Sequence, residues 1–216
     1  MHLFCLHHAG GTTASFAGWR FDGVDVTKLG YRGRDFGSFG AAADSLAQRI
    51  ETSPAAQIAL YGHSMGAVLA FEIAMRLQRT GRLVHVFLAA ARPPSGMYDA
   101  GAAAAATEGA PSGRAREVLL EDLALLATYQ GREAAGQLEV PATVLYSPDD
   151  PLVPASDSLR WAGWCSTQPR LQDFPGGHLF HIGFPAVKVT VETTLSPMLQ
   201  LDPAASRTAS SGVGAS

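Results

Sequence analysis

The sequence predicts an α/β fold: a mostly parallel sheet of about six strands with helices on both faces. Three observations predict it. Short apolar runs alternate along the chain with longer segments of helical periodicity. The clearest run, residues 83–91 (LVHVFLAAA), is apolar on both faces, which suits a strand covered on each side. The 216 residues, 47% apolar and 16% charged, supply one sizeable core and exclude wholesale disorder or a highly charged coiled coil.

Taken in order, residues 2–7 and 24–29 read as the first two strands. Ala42, Leu46 and Ile50, four apart, put a helix over 41–51. A third strand at 57–61 runs into a helix over 65–79, and the fourth strand is 83–91. Between Arg92 and Pro141 the strand rhythm breaks. A Gly/Ala stretch, 101–113, precedes Leu119, Leu120, Leu123, Leu126 and Tyr129, and residues 97–132 are expected to form a mobile lid over one end of the sheet. Residues 142–146 give the fifth strand, 156–164 a helix and 170–174 the sixth strand. In the last segment Val187, Val189 and Val191 alternate like a strand, while Phe184, Val187, Val191, Leu195 and Met198 share a helical face; the helix is favoured. Residues 1–201 read as one domain and 202–216 as a disordered tail.

Charge and cysteine content narrow the function classes. A net charge of −3 gives no drive toward phosphate backbones or anionic lipid, so neither nucleic acid nor membrane is an expected partner. Cys5 and Cys165 stand far apart, outside any CxxC or Cys/His ligand pattern, and no metal site is expected. The apolar start stops at His7 with no basic region before it, too short for a signal peptide or a span, so a cytoplasmic, reduced protein is expected.

The chemistry is concentrated where residues 57–61 (QIALY) enter Gly62-His63-Ser64-Met65-Gly66 and 67–74 (AVLAFEIA) continue as a helix. GxSxG alone is a weak pattern. Its strand–turn–helix setting makes it a nucleophile elbow, in which flanking glycines permit a strained turn that lifts the Ser64 hydroxyl above the sheet. Such a hydroxyl needs a histidine base held by a carboxylate, met in the order serine, acid, histidine. The loop after the fifth strand offers Asp149 and Asp150. Asp150 is preferred because Pro151 restricts it to an extended conformation, and Asp173, inside the next strand, is a weaker rival. Pro175-Gly176-Gly177 then turns the chain to present His178. His181 is the runner-up, better read as packing near Phe180; His85 reads as a core histidine, and His63 as pointing away from the substrate side. For the oxyanion, Met65 supplies one backbone N–H at a helix N-terminus, and the loop His7-His8-Ala9-Gly10-Gly11 should supply the other.

On these motifs the stretch from Leu3 to about Met198 resembles the type II thioesterases, α/β hydrolases that act beside polyketide and nonribosomal peptide synthases. The matching residues are Phe4-Cys5-Leu6-His7-His8-Ala9-Gly10-Gly11 with Ser15-Phe16 and Trp19, Gly62 to Gly66 with Leu69-Ala70-Phe71-Glu72, Asp149-Asp150-Pro151, and Phe174-Pro175-Gly176-Gly177-His178. The resemblance implies Ser64, Asp150 and His178 as catalytic triad and the amides of Met65 and Ala9 as oxyanion donors. It also implies hydrolysis of acyl thioesters from the phosphopantetheine arm of an acyl or peptidyl carrier protein, with no cofactor of the enzyme's own. A transferase or cyclase would use the same triad with another acceptor. A generic small-ester hydrolase is the plain alternative, and a non-catalytic binding module the most remote. Leu119, Leu123, Leu126 and Tyr129 are expected to line an acyl pocket under the lid. Arg32 and Arg34 are expected to touch the carrier, and the protein is expected to be a monomer.

Overall fold

Six strands form one parallel sheet in the order β2-β1-β3-β4-β5-β6: β1 (His2–Leu6), β2 (Asp25–Leu29), β3 (Ile58–His63), β4 (Leu83–Ala89), β5 (Ala142–Tyr146) and β6 (Arg170–Asp173). The computed structural model describes residues 1–31, 36–94, 112–131 and 136–200. The expected tail, residues 97–111 and 132 of the expected lid, and the expected carrier contacts Arg32 and Arg34 lie outside the described residues.

Alternation along the strands divides the core in two, because successive side chains point to opposite faces. Phe4, Leu6, Leu60, Val86, Leu88 and Val144 face α1 (Phe39–Glu51), α2 (Met65–Leu77) and Trp161. Leu3, Cys5, Ala59, Tyr61, Phe87 and Leu145 face Phe16, Trp19, a short α5 (Phe180–Gly183) and α6 (Pro185–Leu199). Helix α1 starts at Ser38, whose hydroxyl caps the Ala41 amide. Pro185 occupies the first turn of α6, where its missing N–H costs nothing. Val187, Val191 and Leu195 of α6 are buried one turn apart, which settles the last segment as a helix.

The predicted helix at 156–164 is a single turn of α helix, α4 (Ala155–Leu159), followed by a 3-10 stretch, Arg160–Trp164, that carries Trp161 into the core. The described part of the lid segment, residues 112–131, is α3 (Arg114–Ala127) with the few residues on either side of it. It is pinned to the body at three places. The Gly10 amide donates to Asp122 Oδ2 at 2.8 Å, the Phe39 amide to Thr128 Oγ1 at 2.8 Å, and the Tyr129 hydroxyl to Glu72 Oε1 at 2.8 Å. Tyr129 is therefore not part of a lid lining. Its ring packs on Phe39 within the core, and only 6% of it is exposed. Leu126 packs against the same core, Leu119 lies over Gly10, and Leu123 is half-buried.

Because all strands run parallel, their C-terminal ends share one edge of the sheet. The loops after β1, β3, β5 and β6 therefore meet there.

Candidate active site

Ser64 follows β3 directly and takes φ 56° and ψ −121°, a conformation disfavoured for a residue with a Cβ. Its amide donates to Ala89 O at 2.8 Å, which ties the turn to the end of β4. The turn is tight enough to forbid side chains on either flank: a Cβ on Gly62 would run into the Gly66 carbonyl, and one on Gly66 into the carbonyl oxygens of Leu6 and His7. Ser64 stands at the N-cap of α2 yet makes no capping bond with its side chain. Its hydroxyl meets His178 Nε2 at 2.9 Å instead.

His178 Nδ1 lies 2.8 Å from Asp150 Oδ2. With Nδ1–H donating to that carboxylate, the Nε2 lone pair faces the serine and accepts its proton. Asp150 Oδ1 accepts from the amides of Leu152 at 2.8 Å and Val153 at 3.0 Å, so both carboxylate oxygens are held. Its side chain is 1% exposed, that of His178 15%. Asp149 and Asp173 are both exposed, and it is Asp150 that reaches the imidazole. The structure thus brings Ser64, His178 and Asp150 from three separate loops into one hydrogen-bonded chain.

Met65 is the first residue of α2, where an amide has no intrahelical acceptor. The chain after β1 lies directly against this turn, as the closeness of Leu6 O and His7 O to Gly66 shows. That loop is braced on several sides. The Tyr31 hydroxyl donates to His7 O at 2.7 Å, the His7 ring stacks on Tyr31 at 4.2 Å, and His7 Nδ1 donates to His8 O at 2.8 Å. Ala9 is half-buried in it, next to the Gly10 amide that Asp122 takes.

Two contacts escaped the sequence reading. His63 is fully buried, and its Nε2–H donates to the His178 carbonyl at 2.6 Å. The Ser147 hydroxyl, also fully buried, accepts from the amides of Gly177 and Asp149, each at 3.2 Å. No pattern in the sequence signals either, since both depend on loops meeting across the sheet edge. His181 stacks on His63 at 3.7 Å, with His8 near both rings. Burial, with His8 and His178 adding, pushes the His181 pKa down to about 3, and burial together with His181 holds His63 well below the usual histidine range. Both rings are neutral at physiological pH. His85 is a core residue bonded to Thr143 Oγ1 at 2.9 Å. Both cysteines are buried free thiols, raised in pKa by burial.

Among the described residues no group of three or more His, Cys, Asp or Glu could hold a metal ion, and no helix is long and apolar enough to cross a membrane.

Residues 1–195 match the family model described as the thioesterase domain. A probable cadicidin biosynthesis thioesterase of Streptomyces griseus is 29% identical over 209 residues, 83% of this chain and 58% of that protein. The chain thus spans little more than half of that relative's length. Among solved structures, the RedJ thioesterase from the prodiginine biosynthetic pathway of Streptomyces coelicolor superposes with a TM-score of 0.74 at 25% identity, covering 93% of this chain and 89% of that one. ClbQ from the colibactin NRPS/PKS pathway shares the fold with a TM-score of 0.78 at 22% identity, over 93% of this chain and 98% of that one.

Proposed function

The chain belongs to the thioesterase domain family, and from that premise we propose that it hydrolyses acyl thioesters held on the phosphopantetheine arm of an acyl or peptidyl carrier protein. The observation that carries this reading is the unbroken chain Ser64 Oγ, His178 Nε2, His178 Nδ1, Asp150 Oδ2, with links of 2.9 and 2.8 Å, set on a strained elbow.

Ser64 Oγ attacks the thioester carbonyl while His178 Nε2 takes its proton. Asp150 orients the imidazole and stabilises the imidazolium without itself taking the proton. The amides of Met65 and Ala9 hold the oxyanion. Collapse of the tetrahedral intermediate breaks the C–S bond, and His178 returns the proton to the departing thiolate. Water, deprotonated by the same imidazole, then attacks the acyl-serine. A second collapse releases the carboxylic acid and restores the Ser64 hydroxyl. Each step uses only residues of this chain and water, so the reaction needs no further cofactor. The names of the relatives, thioesterases of cadicidin and prodiginine biosynthesis, support a carrier-bound acyl group as the substrate class.

The test is mass spectrometry of carrier proteins loaded with different acyl groups, before and after incubation with the chain. Loss of the acyl mass with release of the free acid is the expected result. Ser64→Ala should lower kcat by on the order of 10⁶-fold, and a fluorophosphonate should add once, to Ser64. Labelling at another serine with activity surviving in Ser64→Ala removes the assignment. Transfer of the acyl mass to an added amine or alcohol in place of hydrolysis makes the protein an acyltransferase.

A further inference from the structure

His178 sits on a stretch that has no regular structure of its own. Gly176 and Gly177 before it take φ 106° and 70°, and the next helix starts only at Phe180. Glycines with positive φ permit the turn, yet they also leave the backbone with more conformations to lose. The imidazole must nevertheless present Nε2 to Ser64 and Nδ1 to Asp150 together. Something outside the stretch must hold it.

Two buried side chains do so at the peptide groups that flank the Gly177–His178 peptide. On one side the Gly177 N–H is taken by Ser147 Oγ at 3.2 Å; on the other the His178 C=O is taken by His63 Nε2–H at 2.6 Å. Neither holder is placed at random. His63 ends β3 and is the residue before Ser64, while Ser147 follows β5 three residues before Asp150. His63 grips the His178 carbonyl from beside Ser64, and Ser147 grips the preceding Gly177 amide from the loop that carries Asp150. Ser147 is also fixed within its own loop, because the Asp149 amide donates to its hydroxyl and the Asp150 amide to its carbonyl. His63 is held by the His181 ring stacked on it at 3.7 Å and by Phe180 at 5.2 Å.

We propose that His63 and Ser147 are positioning residues which clamp the His178 backbone between the serine loop and the acid loop and thereby set the Nε2 to Oγ distance. The proposal rests on the reading of Ser64, His178 and Asp150 as the catalytic triad. A misplacement of about 1 Å at such a site costs on the order of 10²-fold in rate, which sets the scale of the expected effects.

The discriminating pair is His63→Gln and His63→Asn. The Gln amide nitrogen reaches to where Nε2 stands and can still donate to the His178 carbonyl; the Asn amide stops near the Nδ1 position and cannot. Both are polar and neutral, so neither puts a charge into the core, and they differ in length by one methylene. The readout is phosphonylation of Ser64 by a fluorophosphonate, with kinact and KI separated, alongside hydrolysis of an acyl N-acetylcysteamine thioester with kcat and KM separated. His63→Asn should lower kinact and kcat by about 10²-fold with KI and KM within about twofold of wild type, and His63→Gln should recover most of the loss. Ser147→Ala should also lower kcat at unchanged KM. Since both holders serve one placement, the double variant His63→Asn/Ser147→Ala should lose less than the product of the single losses. Equal kinact in His63→Asn and wild type overturns the proposal. So does a loss that Gln does not relieve, which would make His63 a packing residue. A wild-type chain that labels at Ser64 but cleaves no thioester overturns the functional reading, while the labelling rates still decide the clamp.

Discussion

Asp150 accepts the amides of Leu152 and Val153 on one oxygen and the His178 imidazole on the other, while Asp149 beside it faces solvent. Asp150→Asn should therefore reduce kcat by about 10⁴-fold, and Asp149→Asn should leave it within a few-fold of wild type. Steady-state kinetics of the two variants checks this, and the reverse ranking moves the acid to Asp149. His85 is one of the buried histidines that shape the acid limb of stability, beside His63 and His181. Burial, with Arg170 nearby, pushes the His85 pKa from its ordinary 6.5 down to about 4. Between those values the unfolded chain binds a proton that the folded chain refuses. The stability contribution is thus intact above pH 6.5 and is lost as pH falls toward about 4. His85→Gln keeps a donor for Thr143 but cannot titrate, so urea unfolding at pH 7.5 and 4.5 should show it losing about 2 kcal/mol less than wild type. Ser64, Asp150 and His178 were legible in the sequence because each follows a strand and is marked by a flanking Gly or Pro. Ser147 and His63 were not. Their hydrogen-bond partners lie 30 and 115 residues away, and no local rule predicts a contact made only when loops converge.

At the scale of elements the elbow depends on two missing side chains. Gly66→Ala would force a Cβ into the carbonyls of Leu6 and His7, which belong to β1 and the chain just after it and have little room to yield. It should destabilise the protein by about 3 kcal/mol or prevent soluble folding. Gly163→Ala meets nothing within 4 Å and should change stability by no more than about 0.5 kcal/mol, a control that chemical denaturation can read in parallel. Helix α3 behaves differently, because three polar contacts pin it to the body and only part of its surface is buried. Its amides should exchange faster than those of β4, which lies inside the sheet, and Tyr129→Phe should speed α3 further by unlinking it from Glu72 without touching β4. Equal exchange of α3 in both proteins would show that the Tyr129–Glu72 bond does not hold it. The strands were legible almost residue for residue, since runs such as Ala142–Tyr146 carry their β-branched and apolar groups between turn signals. The last helix was ambiguous by periodicity alone, and burial decides it: a strand would hide Val189 beside Val187 and Val191, but Val189 is 53% exposed. Tyr129 was misplaced because an aromatic in an insertion says nothing about whether it turns toward a pocket or back onto Phe39.

At the scale of the whole molecule, the parallel sheet gathers the loops of Ser64, Asp150 and His178 on one edge, so a substrate must arrive from that side. An acyl group tethered to a carrier arrives already confined, and the carrier's own surface contributes binding energy that a free small thiol lacks. Carrier-bound thioesters should therefore be cleaved with higher kcat/KM than the same acyl group on N-acetylcysteamine. Net charge cannot supply the recognition, because the chain carries −3 and would repel an acidic carrier at long range. On the proposed function, recognition of a carrier falls to local patches of the surface. Arg32 and Arg34 are the pair to reverse, since they stand just after Tyr31 in the sequence, and Tyr31 itself braces the loop next to the elbow. Arg32→Glu/Arg34→Glu should raise KM for the carrier-bound substrate and leave turnover of the short thiol nearly unchanged. Raising the salt concentration should weaken the carrier reaction of wild type in the same direction, because exposed charge pairs are screened beyond about 10 Å at 0.1 M. Equal losses on both substrates would assign the arginines to the fold or to the active site. A carrier that gives wild type no advantage would leave a hydrolase that accepts small acyl esters and thioesters directly.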